Sequence, residues 1–365
     1  MTWFNLLRTE VIAMRELVLI ITLNPELHTA DMLAQLAHMA LEAGIQLVGR
    51  LNMSFFNAAL ERYYANFIDK FRDIMTDIGL QPCIEIDTPG RKIRLGDNIP
   101  MILLEVGQWV VLTPYPQQER ELLVIHLPYP WFDRYVRRGE LILLGDDEIR
   151  LRVKAIKPER VIAIVERVRE GAKLRKRMGV TIAREDLPLP LIGETDQAVM
   201  KFGDKYEIEW LGLSVIHNPL DLTNYQGWLA KNCPGWRVVP MPKIESDLSW
   251  AQMDAIILNA RAAIFAKGDG LSKAIALGRA HELPKLEERF IQLTREYDRM
   301  SILATGLMTW PISQASLDSL YYIAKHLQPD AMLFPETASL SGSELLEFVE
   351  TALNVVKGAA VNHIW

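Results

Sequence analysis

Only two cysteines, Cys83 and Cys233, occur in the 365 residues, and they lie far apart in the chain. Two isolated thiols form neither a disulfide framework nor a zinc spacing, so the sequence points to a reducing, cytoplasmic setting. No apolar run approaches the roughly 20 residues that span a bilayer, which removes a membrane from the expected partners. Positive charge is not in excess: 40 basic against 46 acidic residues give a net charge of −6. Without a global basic field, nucleic acid is not an expected partner either. Arg8, Glu10, Arg15 and Glu16 break the N-terminal apolar stretch in a way that signal peptides do not show. What the chain has in quantity is apolar content, half of all residues. That supports about two or three domains, or one large barrel with an insertion.

The order of apolar runs gives the architecture. Residues 17–22 read as a buried strand, 30–43 as a helix stopped by Gly44, 45–51 as a second strand, 57–78 as a helix and 82–86 as a third strand. The rhythm then changes. Short strand-like runs at 101–106, 109–113, 121–126, 140–144, 150–156 and 161–168 come without a strong amphipathic helix. They predict a small β domain, and the proline-rich segment 187–192 predicts a stiff return linker. Strands at 209–216, 238–245, 263–266, 301–305 and 331–334 follow, with helices at 195–202, 224–232, 246–261, 284–300, 315–326 and 343–356. Eight strands outside the insertion predict an α/β chain, a (β/α)8 TIM barrel with a small all-β domain inserted after strand three. The expected division is 1–96 and 188–365 for the barrel and 97–187 for the inserted lid domain.

In such a barrel, functional groups collect at the C-terminal ends of the strands. Arg50, Asn52, Asp87, Lys243, Glu245, Asp269 and Thr305 all fall there. Lys243 and Glu245 are two apart and share a face of a strand, and Asp269 lies just beyond the next strand, about 4.8 Å away. Two carboxylates and a lysine aimed at one point suit an anionic substrate held by magnesium. The plainer readings are a rim ion pair for Lys243 and Glu245, a helix cap for Asp269, and a simple turn for residues 87–90.

Several segments together resemble the pyruvate kinase family. Arg50-Leu-Asn-Met-Ser54 is similar to RLNFS, and Asp87-Thr-Pro-Gly-Arg-Lys-Ile-Arg94 to DTKGPEIR. Segment 142–151 is similar to ILIDDGLISL and segment 173–180 to SLGSKKGV. Lys243-Ile-Glu245 matches KIE, Ala266-Lys-Gly-Asp269 matches ARGD, and Ala304-Thr305 and Glu336-Thr-Ala338 match remnants of two later motifs. The resemblance implies that Glu245 and Asp269 hold Mg2+ (or Mn2+), that Lys243, Arg50 and Thr305 are catalytic, and that Asn52, Ser54, Asp87 and Thr88 bind K+. It also implies substrate contacts from Ala266, Lys267, Gly268, Asp269, Thr305 and Arg94, with Asp146 and Arg177 reaching in from the lid. The substrate would be a small anion, phosphoenolpyruvate or a 2-oxo acid.

The departures fall on the nucleotide side. Phe55-Phe56 replaces His-Gly, Leu60 a tyrosine, His217 an arginine, Phe334-Pro335 a Ser-Gly pair, and Ser339 a lysine. The resemblance ends at Trp365 without the family's C-terminal regulatory domain, so a homo-oligomer is expected to be a dimer. Three functions follow. The first is phosphoryl transfer between phosphoenolpyruvate and a nucleotide (ADP or ATP). The second is a divergent magnesium enzyme on a 2-oxo acid or enolpyruvate with another acceptor, in a specialised biosynthetic pathway. The third is a non-catalytic relative.

Overall fold

The computed structural model describes residues 17–54, 56–115, 122–184, 186–304 and 306–361, without the side chains of 360 and 361. Thr305 and Phe55 therefore lie outside the described residues.

Three strands open the chain: β1 (Val18–Leu23), β2 (Gln46–Asn52) and β3 (Ile84–Asp87). The insertion supplies β4 (Ile93–Arg94), β5 (Trp109–Thr113), β6 (Leu123–His126), β7 (Leu141–Leu144), β8 (Ile149–Lys157), β9 (Arg160–Val168) and β10 (Gly179–Thr181). Then come β11 (Trp210–Leu213), β12 (Val239–Ile244), β13 (Ala262–Ala266), β14 (Met300–Ala304) and β15 (Ala331–Phe334). Strands β1 to β3 and β11 to β15 close into one barrel, in the order β1-β15-β14-β13-β12-β11-β3-β2. Its neighbouring strands run parallel, as in the pairing of β1 with both β2 and β15. Parallel strands are covered on both faces and read as continuous apolar runs, which is why β1 is buried along its whole length.

The barrel interior is built in layers. Ile20, Val48, Met241, Ile264 and Ile302 form one apolar cluster inside it. Residues one position along, such as Leu19, Leu47 and Phe265, join the larger cluster beneath the helices. This is the period-2 alternation of a strand. Toward the C-terminal ends the same inward-facing positions turn polar: Val48 is succeeded by Arg50, Cys83 by Glu85 and Asp87, and Met241 by Lys243. The charged layer continues the packed core upward.

The inserted sheet has seven strands, ordered β4-β10-β7-β8-β9-β5-β6. It closes on its own core, which includes Val110, Ile142, Leu151 and Val165. Two of its strands, β4 and β10, are too short to stand out in the sequence. The expected strand at 101–106 is instead an irregular segment whose Ile102 makes one isolated bridge to Leu174. The expected helix at 246–261 is two short helices, Asp247–Ala251 and Met253–Leu258, meeting at Gln252. Ser246 caps the first of them through a reciprocal contact with Ser249. A further helix, Lys267–Ala276, follows β13 directly. Among the described residues no helix is long and apolar enough to cross a membrane.

Candidate active site at the barrel mouth

Arg50, Asp87 and Lys243 form one buried cluster on β2, β3 and β12. Arg50 donates through Nη1 to Thr22 Oγ1 at 2.8 Å and through Nη2 to Asp87 Oδ2 at 2.7 Å. The Lys243 ammonium donates to the same Asp87 oxygen. Burial alone would raise the Asp87 carboxyl, but the charges of Arg50 and Lys243 outweigh it and hold the group below its ordinary range. Asp87 Oδ1 is buried and has no hydrogen-bond partner among the described residues.

Beneath this cluster lies a carboxylate that the motifs do not reveal. Glu85 is fully buried on β3, and its Oε2 is 3.2 Å from Arg50 Nε. Burial, and then the charge of Asp87, push Glu85 up to about 7. Gly212 on β11 makes the room: a Cβ there would stand 2.6 Å from Glu85 Oε1 and 3.0 Å from Asp87 Cβ. The signal available in the sequence is alternation, since Cys83, Glu85 and Asp87 share one strand face.

Glu245 sits just past β12, where its Oε1 accepts a 2.7 Å hydrogen bond from Val215 N–H. Val215 adopts a left-handed backbone (φ 56°), which is strained for a β-branched residue and common where a site dictates the geometry. Burial, and next the charge of Asp269, push Glu245 up to about 7. Asp269 lies in the first turn of helix Lys267–Ala276 and accepts from the Lys92 ammonium. Lys92 lies within the 87–94 segment but is not singled out there as a site residue; its partner is remote in sequence, and no local pattern joins the two.

The structure brings most of the expected residues to one cavity of about 360 Å³. Arg50, Asn52, Ser54 and Asp87 form one side of it, and Lys243, Glu245, Ala266, Gly268 and Asp269 another. Arg94, Asp146 and Arg177 border it from the inserted sheet. Asn52 Oδ1 is engaged by Ser54 N–H at 3.0 Å. The Arg177 guanidinium also pairs with Asp97. Two side chains point elsewhere: the Thr88 hydroxyl accepts from Ser214 N–H at 3.3 Å, and the Lys267 ammonium reaches Glu287 Oε2 at 3.3 Å. No side chain caps the N-terminus of helix Lys267–Ala276 among the described residues, so its first amides are available to an anion.

Phe56 is buried against Phe202 and Tyr64, with ring centroids at 5.0 Å and 6.0 Å. Pro335 lines the cavity at the position where the resemblance would put a glycine. Ser339 donates to Glu336 O at 3.0 Å. Among the described residues there is no group of three or more His, Cys, Asp or Glu side chains that would hold a metal by themselves.

Comparison with known proteins agrees with this arrangement. The family description "Pyruvate kinase, barrel domain" matches residues 14–315. The pyruvate kinase of Methylorubrum extorquens is 26% identical over 295 residues, covering 80% of this chain and 57% of that protein. That of Thermotoga maritima is 27% identical over 244 residues, covering 66% of this chain and 49% of the relative. Plastidial pyruvate kinase 2 of Arabidopsis thaliana is 26% identical over 297 residues, 80% of this chain and 48% of the relative. The chain thus spans about half the length of the curated relatives it matches. The family match takes in every barrel strand but β15, the whole insertion and both Glu245 and Asp269, and the chain belongs to the pyruvate kinase family.

Proposed function

We propose that the chain is a pyruvate-kinase-type phosphotransferase, moving a phosphoryl group between phosphoenolpyruvate and an acceptor, with a nucleotide as the first candidate. The observation that carries this reading is the convergence of Arg50, Lys243, Glu245 and Asp269 on one cavity. Phosphoryl transfer needs positioning and opposing positive charge more than covalent chemistry. Arg50 is fixed by Thr22 and Asp87, and with Lys243 it orients the phosphoryl oxygens and opposes their charge. The free amides at the start of helix Lys267–Ala276 bind the substrate carboxylate.

Glu245 and Asp269 fit a hard divalent cation. They offer oxygen ligands only, and their mutual repulsion, which helps raise the Glu245 group, is what a cation between them relieves. When bound there, Mg2+ or Mn2+ supplies charge neutralisation at the substrate oxygens. For K+, the buried and unpartnered Asp87 Oδ1 is the supporting feature, with Asn52 and Ser54 on the same wall. The inserted domain, residues 97–187 in this proposal with β4 just ahead of it, acts as the lid that excludes water.

A second reading keeps the metal and the 2-oxo acid but changes the acceptor. It is favoured by Phe56, whose ring is committed to an aromatic cluster, and by Pro335; neither binds phosphate oxygens as hydroxyl or ammonium groups do. Pyruvate formation from phosphoenolpyruvate and ADP, dependent on Mg2+ and K+, tests the first reading. Turnover that is lost in both Lys243→Met and Glu245→Ala supports it. Absence of turnover, combined with metal-dependent oxalate binding that Glu245→Ala abolishes, supports the second.

A further inference from the structure

Glu85 has no place in the chemistry above, yet the barrel is shaped around it. It is fully buried, and its carboxylate meets Arg50 Nε at 3.2 Å. It fills a hollow that exists because residue 212 is glycine: a Cβ there would lie 2.6 Å from Oε1 and 3.3 Å from Lys243 Cε. Asp87 already takes hydrogen bonds from both Arg50 and Lys243. Two cations and one carboxylate would leave this cluster with one net positive charge. The second carboxylate, when ionised, brings it to zero.

We propose that Glu85 is a specificity-determining residue whose buried carboxylate lowers the affinity of the Arg50–Lys243 pair for anions, by a factor that grows with the charge of the anion. It rests on the reading of that pair as the anion site. A charge beneath the site acts on every ligand charge above it, and the low-dielectric interior screens it little. The site is thereby biased toward weakly charged carboxylates and toward release of highly charged phosphate esters.

The sign of the effect separates this role from a structural one. A structural partner of Arg50, once removed, leaves the guanidinium misplaced and weakens every ligand. A charge-grading residue, once neutralised, strengthens binding. Calorimetric titration of pyruvate, oxalate and phosphoenolpyruvate, each with Mg2+ at one alkaline pH that keeps Glu85 ionised, is run on the wild type, Glu85→Gln, Glu85→Asp and Lys243→Met. Glu85→Gln is expected to tighten pyruvate by about threefold or less and phosphoenolpyruvate by about tenfold or more. Glu85→Asp is expected to keep the wild-type ratio. Equal weakening of all three ligands in Glu85→Gln, or an unchanged ratio, overturns the inference. Binding that survives Lys243→Met overturns the underlying reading of the anion site instead. Should Glu85→Gln fail to fold, Glu85→Ala, which also removes the charge, is read on the same ratio.

Discussion

Asp269 and Lys273 stand one turn apart on helix Lys267–Ala276, and each holds one of the two segments that join the inserted sheet to the barrel. Asp269 accepts from Lys92 on the outgoing segment. Lys273 donates to Ile182 O at 2.8 Å, Ala183 O at 3.0 Å and Arg184 O at 3.3 Å on the returning one. A spacing of four puts both side chains on one helix face. The helix that carries the metal-binding candidate therefore also anchors both connections of the inserted sheet.

Lys273 is buried, so Lys273→Met strands three carbonyls on the returning segment. The expected loss is about 1–3 kcal/mol, with faster amide hydrogen exchange in residues 179–184 than in the barrel strands. Exchange unchanged in that segment would show that Lys273 does not anchor it.

The divalent cation proposed at Asp269 would compete with Lys92 for its carboxylate. The two side chains are partly exposed, 24% and 35%, so their ion pair is worth at most about 1 kcal/mol. Lys92→Met is expected to tighten Mn2+ binding by about fivefold or less, read by electron paramagnetic resonance. Weaker Mn2+ binding in that variant contradicts the competition.

Val215 carries left-handed strain that a glycine does not feel. Relief of about 1–2 kcal/mol is offset by glycine's greater chain entropy, about 0.5–1 kcal/mol. Val215→Gly is thus expected to be neutral or up to about 1 kcal/mol more stable in urea titration. A clear loss of stability would show that the backbone there is not strained.

The barrel is legible in the sequence because its strands are long enough in apolar character to stand alone. The strand-end residues Arg50, Asp87, Lys243 and Glu245 follow from counting along them. Glu85 escapes the motifs, although the alternation of Cys83, Glu85 and Asp87 contains it. Lys92 and Lys273 are not legible, since their partners are remote in sequence and carry no local pattern. Helix Lys267–Ala276 is hidden because its first turn coincides with a motif that draws attention to chemistry rather than periodicity. The break at Gln252 reflects the end of one short capped helix and the start of another, a tertiary choice that overrides a continuous apolar stripe.

His28 ties β1 to the segment after β15. Its Nδ1 accepts from Asn24 N–H at 3.1 Å and its Nε2 lies 3.0 Å from Leu340 O, an arrangement satisfied by the neutral Nε2–H tautomer. Burial lowers its pKa below 6.5 despite the opposing carbonyls of Leu340 and Thr337. The unfolded chain then takes up the proton more readily than the folded one. This contribution to stability is complete above about pH 6.5 and declines as pH falls toward the folded-state value. His28→Gln is expected to flatten stability between pH 7 and 5 relative to the wild type, as measured by urea unfolding at each pH. Parallel curves for the two proteins would exclude His28 as a source of acid sensitivity.

The central claim is that Glu245 and Asp269 together hold one divalent cation, and it is tested most directly by anomalous diffraction from crystals soaked in Mn2+. The account predicts a single strong peak about 2.1 Å from a carboxylate oxygen of each residue, absent in Glu245→Ala. A peak elsewhere, or none at the barrel mouth under saturating Mn2+ and oxalate, would contradict it.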